Sequence, residues 1–385
     1  MRKSVRSLLQ HPVLRTLLFE RLLLAGSAVL ALGALATGRV SLAEIPGLLD
    51  RRLLTLFFVL TVAVELGKDS GMFDLLVAHM ARQVRTVRGL AGTMIAVTAA
   101  LSALLTNDVA LFLVVPFTMQ LGRLADFEPT PLIVLEVLSA NLLGALTPFG
   151  NPQNLFLYAR GGFTPASFFA AQLPFVAVSA ACLAGAVPLL TPRRPLAAAR
   201  TEPFDVDPVL AAGFALLLAV EIFSLFGHLP TRVPLILSLA AAVLLGRRIF
   251  AVDFSLVVSF AFLFVGIEGF ERGRLYHALN PERIFGHEAA GLLVSGAVLS
   301  QLVSNVPAAL LLAPAAPAPR GFVGLLYGVN AGACGSPVGA VANLIGAQLL
   351  VGAGGDAREF WRTYIRASAV ILAVLLLAGL ALVAL

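Results

Sequence analysis

Apolar runs of bilayer-spanning length recur along this chain, and nothing else in the sequence constrains its fold as strongly. A helix crossing a hydrocarbon core about 30 Å thick needs about 20 apolar residues at 1.5 Å each. Spans are predicted near 19–37, 51–67, 131–158, 172–190, 208–226, 232–246, 252–269, 321–351 and 363–385. Only 12% of the residues are charged, against 59% hydrophobic, about half the charge of a soluble domain. The expected fold class is an all-α polytopic membrane protein.

Two further apolar stretches, 90–121 and 289–319, are too long for one helix and polar at the centre, reading "LLTNDVAL" and "LVSNVPAA". Each is expected to be a re-entrant hairpin of two half-helices, since non-helical backbone at that depth survives only inside protein or beside water. With the N-terminus inside, eighteen of the 27 Lys and Arg fall in cytoplasmic loops, as the positive-inside rule requires. The expected protein is a multi-pass one of the cytoplasmic membrane, and "MRKSVRSLLQHPVLR", basic but followed by no small-residue cleavage pattern, is expected to be a retained cytoplasmic tail rather than a removed signal peptide. Segment 71–88, "GMFDLLVAHMARQVRTVR", is amphipathic and basic, and should lie along the inner interface. The net charge of +6 forms no basic stripe with aromatics, so nucleic acid is not an expected partner. Cys182 and Cys334 suggest neither a disulfide framework nor a metal site, and His79, His277 and His287 have no metal-ligand spacing.

The chain also repeats itself. "NLLGALTPFGNPQNLFLY" (141–158) and "NAGACGSPVGAVANLIGA" (330–347) share Asn, Thr or Ser, Pro, Gly and Asn-Leu at fixed spacing, offset by 189 residues. The hairpin tips, Thr106-Asn107 and Ser304-Asn305, are offset by 198. Upstream, "VELGKDSGMF" resembles "GIEGFERGRL", with Glu65 and Glu268 nearly in register. The organisation expected is a tail and first span over 1–50, repeat 1 over 51–192, a linker with two spans over 193–251, and repeat 2 over 252–385. An odd number of spans separates equivalent points, so the copies should be inverted. Inverted repeats with broken helices at their interface mark secondary transporters.

Pro ends a helix but suits the first position of a new one. Asn151 can therefore cap a half-helix begun by Pro152, and Ser336 one begun by Pro337. Gly150 and Gly339 permit the backbone excursion. Each break frees carbonyls that attract a cation and N–H groups that attract an anion. Thr106, Asn107, Ser304 and Asn305 would add side-chain groups at the tips. Asn141, Thr147, Asn154, Asn330 and Asn343 complete a polar pocket without a buried Lys or Arg. Any single Pro or Gly here could be a simple kink, but four matched interruptions beside Asn favour binding, because Asn in lipid is costly without partners.

Asp108 stands at the first tip, opposite apolar Val306 in the second. A carboxylate at this depth is paired, protonated or liganding a cation; it either caps the following half-helix or serves as a sodium or proton coupling site. Glu65 and Glu268 are further coupling candidates, although their place at span ends suits an interfacial role equally. Glu136 and Glu221 could hydrogen-bond a neighbouring helix, and Cys334 beside the second break suits packing better than ligand binding. No enzyme chemistry is expected. Ser336 has no histidine partner for an intramembrane protease, and no phosphate-binding loop of an ATPase is present. The leading function is secondary active transport of a small anion or oxyanion, carboxylate or arsenite-like, with sodium or proton coupling and no other cofactor. The alternative is a cation/proton antiporter exchanging at Asp108.

"ELGKDSGMF", "LTNDVALFLVVP", "GALTPFGNPQNLFLY", "LVSNVPAALLLAP" and "GSPVGAVANLIGA" resemble the ion transporter superfamily. The closest likeness is to the branch of citrate-transporter-like permeases, arsenite/antimonite efflux permeases and NhaD-type sodium/proton antiporters. The resemblance implies hairpins plus broken helices, elevator-like movement, a homodimer and sodium or proton coupling. It places ion and substrate sites at Thr106, Asn107, Asp108, Ser304, Asn305, Thr147, Gly150, Asn154, Ser336, Gly339 and Asn343. The tips read Thr-Asn-Asp and Ser-Asn-Val, a departure from the Ser-Asn-Thr signature of the sodium/dicarboxylate branch.

Overall fold

A computed structural model describes residues 12–73, 75, 79, 84–196, 205–225, 227–246, 249, 252, 254–274, 288–317 and 319–384. Much of the expected interfacial segment 71–88, the first eleven residues of the tail, Arg82, Arg200, Arg247, Arg248, Arg283, His277 and His287 lie outside them. Among the described residues there is no strand, only one antiparallel bridge between Thr86 and Pro195. The helices are α1 (Pro12–Ala36), α2 (Ile45–Leu48), α3 (Arg51–Asp69), α4 (Val87–Leu104), α5 (Asn107–Leu124), α6 (Thr130–Leu142), α7 (Pro152–Arg160) and α8 (Pro165–Leu190). There follow α9 (Pro208–Leu225), α10 (Arg232–Leu245), α11 (Ser255–Glu271), α12 (Ala289–Val303), α13 (Asn305–Leu312), α14 (Arg320–Ala331), α15 (Val341–Gly352) and α16 (Ala357–Ala384). By length and composition, α4, α8, α9 and α16 are each long and apolar enough to cross a membrane.

The chain divides into two compact units. One comprises residues 20–76 and 203–284. In it α3 packs along α9, with α10 and α11 also against α3. Close approach of α1 to α11 depends on Gly266 and Gly269: a Cβ on Gly269 would stand 2.1 Å from Ala34 Cβ. The turn after α1 is fastened by Arg272, which donates to Glu44 at 2.7 Å, Glu268 at 2.8 Å and the Arg39 carbonyl at 2.9 Å. Hydrogen bonds from the Ser41 N–H, the Arg272 guanidinium and the Ser41 hydroxyl hold the Glu44 carboxyl at about 2, well below its ordinary 4.5.

The other unit comprises residues 77–202 and 285–385, with the first nineteen residues. It brings together α4–α8 and α12–α16. The stretches expected as hairpins are helix pairs of unequal build. The first is α4 and α5, 18 residues each, about 27 Å long apiece. The second is α12 with 15 residues and α13 with eight, extended by a 3-10 turn at Ala313–Ala315. Each pair packs on the interrupted helix that follows it: α4 and α5 on α6, α12 and α13 on α14. The two sets also interlock, α15 lying on α5 and α6, and α13 on α7.

Small residues set these close contacts differently in the two sets. On α14, Gly324 and Gly328 face the α12 backbone, where Cβ atoms would stand 2.0 Å from the Ala289 carbonyl oxygen and 2.3 Å from that of Leu293. The residues at the matching offsets are Ser139 and Ile95, and there the Ser139 hydroxyl donates to the Ile95 carbonyl at 2.8 Å. One set lets a backbone carbonyl approach bare backbone; the other meets the same carbonyl with a hydroxyl.

Candidate binding site at four helix interruptions

Each interruption has a local cause. α6 ends at Leu142, followed by a 3-10 turn at Gly144–Leu146, and α7 starts at Pro152. A Cβ on Gly150 would stand 1.8 Å from the Gly144 carbonyl oxygen, so only glycine lets the chain fold back here. The second break runs from Gly332 to Ala340, and Gly339 approaches the Gly332 carbonyl similarly, at 2.5 Å. Both breaks carry the same turn: the Gly150 N–H donates to Thr147 Oγ1 at 3.2 Å, and the Gly339 N–H to Ser336 Oγ at 3.1 Å.

Asn151 holds the N-cap position with Pro152 first in α7, as expected, but its side chain does not cap. It donates instead to the Asn141 carbonyl at 2.9 Å and to Asn330 Oδ1 at 3.2 Å. Ser336 does not cap α15, and Pro337 does not begin it. The helix starts at Val341 with Ala340 as N-cap, because Ser336–Gly339 is spent on the turn.

The tips are tied to the breaks by matching backbone bonds. Asn107 N–H donates to the Gly150 carbonyl at 2.8 Å, and Asn305 N–H to the Gly339 carbonyl at 3.0 Å. At the first tip, Thr106 is extended (φ −177°) and its hydroxyl accepts from the Val109 N–H at 3.4 Å. At the second, Ser304 takes φ +74° and ψ +157°, a conformation proper to glycine. Asp108 is half-buried in the first turn of α5, its N–H donating to Asn107 Oδ1 at 3.0 Å. Thr147, Ser304 and Ser336 are half-buried too, whereas Asn305 is buried.

Between the breaks lies a network of buried amides. Asn141 Nδ2 donates to Asn343 Oδ1 at 2.9 Å, and Asn330 Nδ2 to Asn154 Oδ1 at 2.9 Å. Under the 189-residue offset Asn141 becomes Asn330 and Asn154 becomes Asn343, so each bond maps onto the other. Asn107 Nδ2 adds a bond to Asn141 Oδ1 at 3.1 Å. The other amide donors fix the breaks themselves: Asn154 Nδ2 to the Ala145 carbonyl at 3.2 Å, and Asn343 Nδ2 to the Ala333 carbonyl at 2.8 Å.

The symmetry fails at one corner. Asn330 Oδ1 accepts from Asn151 and from Gln153 Nε2 at 3.0 Å, and both positions are alanine in the second repeat. Among the described residues, Asn151 Oδ1 and Gln153 Oε1 are buried with no hydrogen-bond partner. Gln153 escapes a sequence reading based on matched residues because it has no polar counterpart. Thr118 also escapes it, as the partner on the neighbouring helix that the hydrogen bond expected of Glu136 finds. Glu136 is fully buried and accepts from the Thr118 hydroxyl at 2.5 Å.

Glu65 and Glu268 belong to the other unit. There Glu65 pairs with Lys68 at 3.1 Å and Glu268 with Arg272 at 2.8 Å, each along its own helix. Among the described residues no three His, Cys, Asp or Glu come together as metal ligands.

Comparison with known proteins bears on this arrangement. A family model described as citrate transporter matches residues 16–323. The inner membrane protein YbiR of Escherichia coli is 32% identical over 323 residues, 80% of either chain. The uncharacterized transporter MJ0456 of Methanocaldococcus jannaschii is 29% identical over 300 residues, 76% of this chain and 79% of its own. The silicon efflux transporter LSI3 of rice is 32% identical over 126 residues, 33% of this chain and 26% of its own.

Proposed function

The chain belongs to the citrate transporter family, and on that premise we propose that it is a secondary active transporter moving a small anion or oxyanion, with sodium or proton as coupling ion. It is an integral multi-pass membrane protein and a permease rather than an enzyme. The observation that carries the proposal is the pair of interchanged bonds, Asn141 to Asn343 and Asn330 to Asn154. A two-fold relation between the repeats predicts that interchange, which supports inverted copies meeting at their breaks. The helix pairs α4–α5 and α12–α13 are read as re-entrant, with their tips at the level of the breaks.

Asn154 and Asn343 spend their amides on holding the breaks, so cargo is assigned to the half-buried Asp108, Thr147, Ser304 and Ser336 around them, with buried Thr106 at the first tip. The positive dipole ends at the starts of α5 and α13 favour an anion, although the first N–H groups of α5 are already bonded, to the Gly150 carbonyl, Asn107 Oδ1 and Thr106 Oγ1. The unpartnered oxygens of Asn151 and Gln153 and the carboxyl of Asp108 favour a cation. The second reading, a cation/proton antiporter exchanging at Asp108, rests on that acidic balance. Placement in the cytoplasmic membrane with the N-terminus inside follows from the basic loops, and a homodimer is the expected assembly.

The test is a thermal-stabilisation screen of purified full-length protein against citrate, dicarboxylates, arsenite and silicate, with and without sodium. Flux in proteoliposomes then follows for whatever binds. Asp108→Asn should fold normally and lose ion-driven flux. Wild-type flux from that variant would remove Asp108 from coupling. Stabilisation by sodium or protons alone, with no anion bound, would favour the antiporter.

A further inference from the structure

Away from the interruptions, one end of the same unit carries a basic cleft of about 510 Å³, within the range of small-molecule sites. It lies where the end of α8 meets the start of α16, and is lined by Leu190, Arg358, Arg362 and Arg366 with Asp356, Glu359 and Thr363. Arg358, Arg362 and Arg366 stand at four-residue spacing, which puts them along one ridge of α16. All three are exposed, and among the described residues none of their guanidinium groups makes an ion pair or hydrogen bond.

Neighbouring arginines are differently employed. Arg88 donates to the Pro188 and Thr191 carbonyls at 3.1 Å each, closing the end of α8. Arg123 donates to the Ala353 carbonyl after α15. Of the acids in the cleft, Asp356 is occupied as a cap, its Oδ1 accepting from the Arg358 N–H at 2.7 Å. An uncommitted row of three guanidiniums is therefore left with Glu359 as the remaining acid.

The ridge does not stop at the arginines. It continues through Val370 (65% exposed) and Val374, with Leu377 (71%) beside it, and Leu189 on α8 is 84% exposed next to the cleft. A single helix face thus changes from guanidinium to bare aliphatic surface within one turn. A soluble anion would use only the upper part. A molecule with a phosphate joined to long hydrocarbon tails uses both.

We propose that this cleft is a binding site for an anionic phospholipid, its headgroup phosphate held by Arg358, Arg362 and Arg366 and an acyl chain lying along Val370, Val374 and Leu377. Guanidiniums bind phosphate oxygens with paired hydrogen bonds, and basic pockets between membrane helices on the cytoplasmic side bind anionic headgroups. The positive-inside count assigns this end to that side.

The test is retention of phosphatidylglycerol against phosphatidylcholine by the purified full-length protein, measured by native mass spectrometry after exchange into mixed micelles. Wild type should prefer phosphatidylglycerol strongly, less so as salt rises. The triple variant R358Q/R362Q/R366Q should lower that preference by on the order of a hundredfold, at about fivefold per arginine. The triple Lys variant, which keeps the charge, should retain most of it, and Arg232→Gln in the other unit should change nothing. Equal retention of both lipids by wild type would overturn the proposal, as would an unaltered preference in the triple Gln variant. Inorganic phosphate displacing phosphatidylglycerol at millimolar concentration would reassign the cleft to soluble anions. Should the Gln variant fail to fold, wild type with the salt series and the Lys variant still decides.

Discussion

Ser304 carries the sharpest local conflict in the chain. Its φ of +74° with ψ +157° lies where residues other than glycine rarely go, at a cost of about 1–3 kcal/mol. Its counterpart Thr106 makes the equivalent turn at φ −177° without that cost. The position is held by neighbours: its own N–H donates to the Ser300 carbonyl at 3.0 Å, and the next N–H is fixed by Gly339. Ser304→Gly should therefore raise the melting temperature of the detergent-purified protein, by an amount corresponding to about 1 kcal/mol once glycine's greater unfolded freedom is deducted. An unchanged or lower value would mean that the hydroxyl matters more than the backbone. At Thr118 the balance runs the other way. It supplies the hydroxyl that meets Glu136, whose second oxygen has no hydrogen-bond partner among the described residues. Thr118→Val keeps the shape and removes the donor, so it should destabilise by about 1–3 kcal/mol, whereas Glu136→Gln should be tolerated better. Thermal melts of the two variants side by side check the order.

Among the elements, α12 and α14 meet backbone to backbone through Gly324 and Gly328, the small-residue contact common between membrane helices. Gly328→Ala would drive a methyl into the Leu293 carbonyl and should cost about 1–3 kcal/mol. Ser139→Ala, at the matching position, loses one hydrogen bond and should cost about 0.6 kcal/mol. Melting temperatures that rank the pair in the reverse order would show that the two sets pack alike. A different element responds to pH. Glu44 ties the turn after α1 to Arg272 with its carboxyl held at about 2, below its ordinary 4.5. A carboxyl depressed on folding contributes stability above its unfolded value, and that contribution is lost as pH falls through the folded one. The melting-temperature gap between wild type and Glu44→Gln should thus be constant above about pH 5 and close as pH drops toward about 2.

These elements also show how much a sequence reveals. The breaks are legible because Pro, Gly and Asn inside an apolar run are costly locally, so their presence needs no knowledge of neighbours. Where the helix resumes is legible at the first break, with Pro152 opening α7, but not at the second. α15 begins at Val341 rather than Pro337 because the Ser336 hydroxyl and carbonyl are already used within their own turn. Gln153 was hidden for the opposite reason: nothing in its surroundings along the chain marks it, and its role exists only once α14 brings Asn330 alongside.

For the whole molecule, the question is what joins the two repeats. In the unit that holds the interruptions, α15 lies on α5 and α6 and α13 on α7, so each repeat packs on the other's helices. At the breaks, direct polar joins between them run through Asn141–Asn343 and Asn154–Asn330, with Asn151 and Gln153 reinforcing the second; elsewhere Arg123 donates to the Ala353 carbonyl and Tyr327 to the Ala171 carbonyl. Amides bonded across membrane helices are worth about 0.6 kcal/mol on average and up to about 1.7, but a buried partner left unsatisfied raises the cost of breaking one. Asn141→Ala and Asn343→Ala remove two ends of one bond. Each should lower stability, and the double variant should be less damaged than the sum, with a coupling of at least about 0.5 kcal/mol. The cycle on Asn330 and Asn154 should give a coupling of the same sign, because the repeat maps one bond onto the other. Both cycles can be measured by reversible unfolding in mixed micelles. A coupling near zero in either would mean that the interchanged amides do not help to join the repeats, and they would lose their place as the feature on which the transport proposal rests.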